Sequence, residues 1–160
     1  KPHAVPTDRK IQKVDIITID MGCKINGYCS DMTRTIFVGE VPKNMKDVYD
    51  LVLKNQEQVL DDMHDGASTK QISKMVDNDF RLHNYDLIHA LGHGVGLDIH
   101  EGPVLSINSE NTLKENMIVT DEPGIYIPGQ FGIRIEDTVL INKGTCEPLT
   151  KSNKKYVIVR

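Results

Sequence analysis

No tryptophan occurs among the 160 residues, and aromatic side chains supply only 5% of them, so the core must be aliphatic, built on Ile, Val, Leu and Met. No dense Lys or Arg run stands out against a formal net charge of -4. The nearest candidate, Lys151 to Lys155, reads as a solvated turn, and a nucleic-acid partner is therefore not expected. No apolar stretch reaches the length of a membrane span and no signal peptide leads the chain, which points to a cytoplasmic protein without a membrane partner. Cysteine is scarce and odd in number: Cys23, Cys29 and Cys146 lack the paired spacing of a disulfide framework and read as free thiols. Cys23 and Cys29 fall near two acids of interest, yet their spacing matches no zinc knuckle. An initiating methionine is also missing, and Lys1 reads as an internal start.

What remains is enough for one domain with a real core. Residues 1–14 are polar and hold Pro2 and Pro6, an extended lead-in. Asp15 to Met21 is β-branched and bounded by Gly22, a strand. Asn26-Gly27 is the strongest short hairpin signal, and Tyr28 to Val38 reads as the returning strand. That hairpin brings Asp20 and Asp31 close, but the register that decides whether they share a face is open. From Pro42 to about His64, Met45, Val48, Val52, Val59 and Met63 trace a helical stripe. Ser68 with Gln71 opens a second helix that ends near Leu82 and turns Ile72, Met75, Val76 and Phe80 inward. Short strands follow at Met117–Thr120, Gly124–Ile127 and Gly132–Ile141, with Val157–Val159 closing an edge. The order strands, helices, strands predicts an α+β domain with one mostly antiparallel sheet.

Five side chains carry the chemistry: Asp20, Asp31, His93, Glu122 and Glu136. Four carboxylates and one imidazole are a hard, oxygen-rich set, better suited to a pair of Mn, Fe, Co or Zn ions than to one structural zinc. Each has a plainer explanation alone. Asp20 can end a strand, Asp31 can pair with Arg34, and His93 can be a satisfied structural histidine. Glu136 and Arg134, two apart on one strand face, can form an ion pair, or Arg134 can support Glu136 as a ligand. The combination is harder to dismiss, because four converging carboxylates without cations repel one another and raise their own pKa values. His89, His93 and His100 lie among Gly92, Gly94 and Gly96, which allow close backbone approach and leave room for a substrate. His89 and His93 are spaced as in a zinc helix, but the glycines and the missing intervening Glu reject that motif.

The words around these residues, GYCSDMTRT, HALGHGVGLDIHE, EPGIYIPG and GIRIED, resemble the catalytic domain of the pita-bread metallopeptidases, in their Xaa-Pro aminopeptidase and prolidase branch. The resemblance runs from Pro2-His3 to the end. It implies an α+β pita-bread fold, a curved, mostly antiparallel sheet backed by helices, over residues 1–160. It implies two divalent ions, Mn first among Mn, Co, Zn and Fe, held by Asp20, Asp31, His93, Glu122 and Glu136. Asp31 and Glu136 are expected to bridge them. His3, His89, His100, Tyr126 and Arg134 match substrate-side positions, with Glu122, His89 and His100 expected to act in catalysis. The implied activity is hydrolysis before a penultimate proline. HGVGLDIHE favours an aminopeptidase, with an Xaa-Pro dipeptidase (prolidase) as the alternative. A pita-bread pseudoenzyme used for binding and a creatinase-like hydrolase are further readings, told apart by metal analysis and a substrate panel. Family domains carry more strand and helix before the Pro-His element, often with a separate N-terminal domain, so a partial domain with a bare sheet half is expected. The upstream part of the same protein is an expected partner, and a homodimer another, since the family often dimerises.

Overall fold

The structure, a computed structural model, describes residues 1–160. β1 (Ile16–Met21) turns through the short hairpin β2 (Lys24–Ile25) and β3 (Tyr28–Cys29) into β4 (Met32–Val38). Asn26 and Gly27 take φ of 52° and 89°, the left-handed pair that the Asn-Gly signal implied. The long returning strand expected over 28–38 is interrupted at Ser30 and Asp31. β1 and β4 pair antiparallel, with Asp20 opposite Thr33 and Met21 opposite Met32. Asp20 and Thr33 therefore share one face, and Asp31, just beyond the last pair, lines the same cleft as Asp20.

Two helices follow, α1 (Lys43–Asp62) and α2 (Thr69–Leu82). Ser68 caps α2 by accepting a hydrogen bond from the Gln71 amide. Val48, Val52, Val59, Ile72, Val76 and Phe80 are buried as their spacing predicted, whereas Met75 is only partly covered. Three of the few aromatics gather in one place, Phe37, Tyr49 and Tyr156, with ring centroids 5.5 to 5.7 Å apart.

The remaining strands are β5 (Gly92–Gly94), β6 (Glu101–Leu105), β7 (Ile118–Asp121), β8 (Gly124–Ile127), β9 (Phe131–Arg134), β10 (Asp137–Ile141), β11 (Cys146–Pro148) and β12 (Ile158–Val159). The single sheet expected from the sequence is divided. β11-β10-β7-β5-β6 forms a five-stranded sheet, β1-β4-β12 a three-stranded one, and β2-β3 and β8-β9 are separate ribbons. Every pairing is antiparallel except β12 with β4. The strand read over 132–141 breaks at Ile135 and Glu136, which frees Glu136 to reach across to β4. No helix is long and apolar enough to cross a membrane.

Candidate metal centre

The cleft between the β1-β4 pair and the five-stranded sheet has a volume of about 690 Å³. Asp20, Asp31, His93, Glu122 and Glu136 all line it. One oxygen or nitrogen from each of Asp31, His93 and Glu136 lies within 4.8 Å of the others. His93 Nε2 stands 3.4 Å from Glu122 Oε1 and 3.7 Å from Asp31 Oδ2. Asp20 stands apart. It is the most exposed of the five, and its carboxylate is turned to the Arg134 guanidinium. The Asp31–Arg34 pair weighed from sequence does not form, since Arg34 bonds Asp137 instead. Arg134 likewise turns to Asp20, and its Nε lies 3.9 Å from Glu122, rather than pairing with its strand neighbour Glu136.

Local sequence explains how these side chains are presented. His93 sits on β5, squeezed between β6 and β7. A Cβ on Gly92 would fall 2.0 Å from the Thr120 carbonyl oxygen, and one on Gly94 would fall 2.2 Å from that of Gly102. These glycines therefore admit neighbouring backbone, as one half of the sequence reading expected, and the space beside them is filled rather than left for substrate. His93 Nδ1 donates to the Gly94 carbonyl at 2.9 Å, which leaves Nε2 as the lone-pair nitrogen facing the acids. Glu122 leaves β7 just before Pro123, and its amide donates to the Leu91 carbonyl at 2.8 Å.

Two threonines that the sequence reading missed steady the acids. Thr33 Oγ1 donates to Glu136 Oε2 at 2.6 Å and accepts from Arg134 Nε at 3.1 Å. Thr120 Oγ1 donates to Glu122 Oε1 at 3.2 Å and accepts from the His93 amide at 3.0 Å. Their signal was present: each lies two residues from a candidate acid, Thr33 after Asp31 and Thr120 before Glu122. Met21, Ile99 and Val104 add apolar wall that the sequence did not announce.

Of the substrate-side candidates, His3, His89, His100 and Arg134 line the cleft. Tyr126 lies behind it, where its hydroxyl accepts from Arg134 Nη1 at 2.9 Å and meets His89 Nε2 at 3.1 Å. His89 Nδ1 donates to the Ala90 carbonyl at 2.7 Å, so Tyr126 donates to Nε2 and both nitrogens of His89 are engaged. Burial lowers the pKa of His89, in keeping with a neutral ring. His100 packs edge-on to His93, ring centroids 4.4 Å apart.

The electrostatics ask for cations. Burial, and then the charges of Glu122 and Asp31, push the Glu136 carboxyl up to about 9. Burial likewise pushes Glu122 up to about 7 against the opposing pull of Arg134, and burial followed by Asp20 raises Asp31. A set of acids held this unfavourably is what divalent ions relieve, and the oxygen-rich donor set fits Mn, Fe, Co or Zn.

The sequence profile of metallopeptidase family M24 matches residues 1–143. The chain belongs to that family. Among curated M24 relatives, it is 42% identical over 158 residues to the Xaa-Pro dipeptidase of Pyrococcus furiosus, covering 98% of this chain and 45% of that protein. Among solved structures, the X-Pro aminopeptidase of Thermotoga maritima superposes with a TM-score of 0.95 at 38% identity, covering 99% of this chain and 46% of that one. The Xaa-Pro dipeptidase of Bacillus anthracis gives a TM-score of 0.95 at 39% identity, over 99% and 45%. The fold is thus the pita-bread M24 domain, and the chain spans about 45% of the length of these relatives.

Proposed function

We propose that residues 1–160 form the metal-bearing part of a catalytic domain, and that the intact protein hydrolyses the peptide bond before proline as an Xaa-Pro dipeptidase. The observation that carries the reading is the convergence of Asp31, His93, Glu136 and Glu122 on one cleft, in a chain 42% identical to a relative of that name. Asp20, Asp31, His93, Glu122 and Glu136 are the residues that would hold the divalent ions, Asp31 and Glu136 from the middle of the set. Divalent ions held there, Mn first, would supply Lewis acidity toward water and the scissile carbonyl. Glu122 takes the water proton on its carboxylate and delivers it to the departing imide nitrogen. His100 donates to the carbonyl oxygen as charge builds there. His89 does not donate to it, since Nδ1–H is spent on the Ala90 carbonyl and Nε2 is the acceptor of the Tyr126 hydroxyl, so its part is to hold Tyr126. His3 and His100 wall the proline pocket, while Arg134 holds Asp20 and Tyr126 in place.

The likeness to the T. maritima X-Pro aminopeptidase supports a second reading, cleavage of longer peptides with a penultimate proline. The intact Mn-loaded protein, offered an Xaa-Pro dipeptide and an Xaa-Pro-Xaa peptide, separates the two. Preference for the dipeptide supports the first reading and preference for the longer peptide the second. Cleavage of neither, with ions bound, sinks both.

A further inference from the structure

Two aspartates beside the proposed ligands face away from the cleft. Asp121 precedes Glu122 and Asp137 follows Glu136, but neither lines the cleft and both turn to α1, where they meet Gln56. Asp121 and Asp137 are direct partners across β7 and β10, at 0% and 1% exposure. Like charges opposite one another on an antiparallel pair are destabilising, so something must reconcile them.

Gln56, buried on α1, does so. Its Nε2 donates to Asp121 Oδ2 at 3.0 Å and to Asp137 Oδ2 at 3.1 Å. Its Oε1 accepts from Lys154 Nζ at 2.8 Å, and the same ammonium lies 3.2 Å from Asp137 Oδ2. On the far side, Arg34 donates to Asp137 Oδ1 at 2.7 Å and also to the backbone carbonyl of Glu136. Asp121 Oδ1 has no partner at all, so Gln56 is the one side chain that holds Asp121.

We propose that Gln56, oriented by Lys154, is a positioning residue for the metal centre: from the far face of the sheet it fixes the separation of Glu122 and Glu136. The proposal rests on the dinuclear reading given above. At the end of the β7–β10 ladder, a single neutral amide ties together the last side chain before Glu122 and the first after Glu136. Its two hydrogens match two carboxylates, and its carbonyl is turned to the ammonium. An apolar residue there leaves two buried acids facing each other with Asp121 unpartnered. A glutamate there brings another carboxyl in place of the amide's two donor hydrogens.

The test uses the full-length protein carrying Gln56→Met, Gln56→Glu, Lys154→Met or Lys154→Arg. Mn(II) stoichiometry and affinity are read by titration calorimetry, the spin coupling of the loaded pair by EPR, and folding by thermal melts. The expected result is two ions in the unsubstituted protein and binding weakened about 10-fold or more in Gln56→Met, with an altered EPR spectrum. Gln56→Glu should be worse still, although it changes volume least. Lys154→Met should shift both readouts the same way and Lys154→Arg should restore them. If the Gln56 variants fail to fold, the two Lys154 variants decide. Lower melting temperatures with unchanged affinity and unchanged EPR overturn the proposal and leave the dinuclear reading intact. Failure of the unsubstituted protein to bind an ion pair removes that reading and this proposal with it.

Discussion

His93 concentrates the dependence of the site on single atoms. Its Nε2 lies within 4 Å of Asp31 and Glu122, and Gly94 fixes its tautomer. His93→Ala in the intact protein should therefore abolish Xaa-Pro cleavage and lower bound metal by at least one ion, read by turnover and elemental analysis. Normal turnover in that variant contradicts the ligand assignment. Thr33→Val removes one donor from Glu136 and keeps the shape. It should weaken Mn binding about 10-fold by calorimetry, with the fold retained. At this scale the sequence was informative about identity and silent about partners. Asp31, His93 and Glu136 could be picked out by residue type and by the motif words around them. Thr33 and Thr120 stood two residues from Asp31 and Glu122, but the pairings could not be read, because Arg34 finds Asp137 and Thr33 finds Glu136 across more than 100 positions of chain.

Among the elements, the helices were the most legible, since their apolar stripes repeat over several turns. Ser68→Ala removes the α2 cap and should cost about 1 kcal/mol, measured by denaturant titration. The strands were harder to delimit. Thr33 to Val38 and Phe131 to Ile141 are rich in β-branched residues, so nothing local marks the breaks before Met32 and at Ile135-Glu136. Those breaks place Asp31 and Glu136 off the regular ladders and at the cleft. β5 escaped notice for the opposite reason: Gly-His-Gly has no strand propensity, and only the tight approach of β6 and β7 makes it one. Gly92→Ala places a Cβ against the Thr120 carbonyl oxygen and should lower both melting temperature and metal affinity.

For the molecule as a whole, the acid cluster ties stability to pH and to metal. Glu122 and Glu136 have pKa values raised to about 7 and about 9 in the metal-free fold, above the ordinary carboxylate value. Their contribution is therefore complete at low pH and lost as pH climbs through those values. His89 acts in the opposite sense, its lowered pKa making the neutral ring favourable above about pH 6.5. The metal-free melting temperature should consequently fall from pH 7 to 9, while Mn(II) should raise it by an amount that grows over the same window. A metal-free protein that gains stability from pH 7 to 9 contradicts this. The pita-bread fold was legible in the order of its motifs, whereas the division of the sheet into separate ladders was not, because register is a property of pairs. The central claim is that Asp20, Asp31, His93, Glu122 and Glu136 hold two ions together. Anomalous scattering from crystals of the intact Mn-loaded protein tests it most directly. The account predicts two peaks within the cleft, with Asp31 and Glu136 touching both. A single peak, or peaks away from these five side chains, would contradict it.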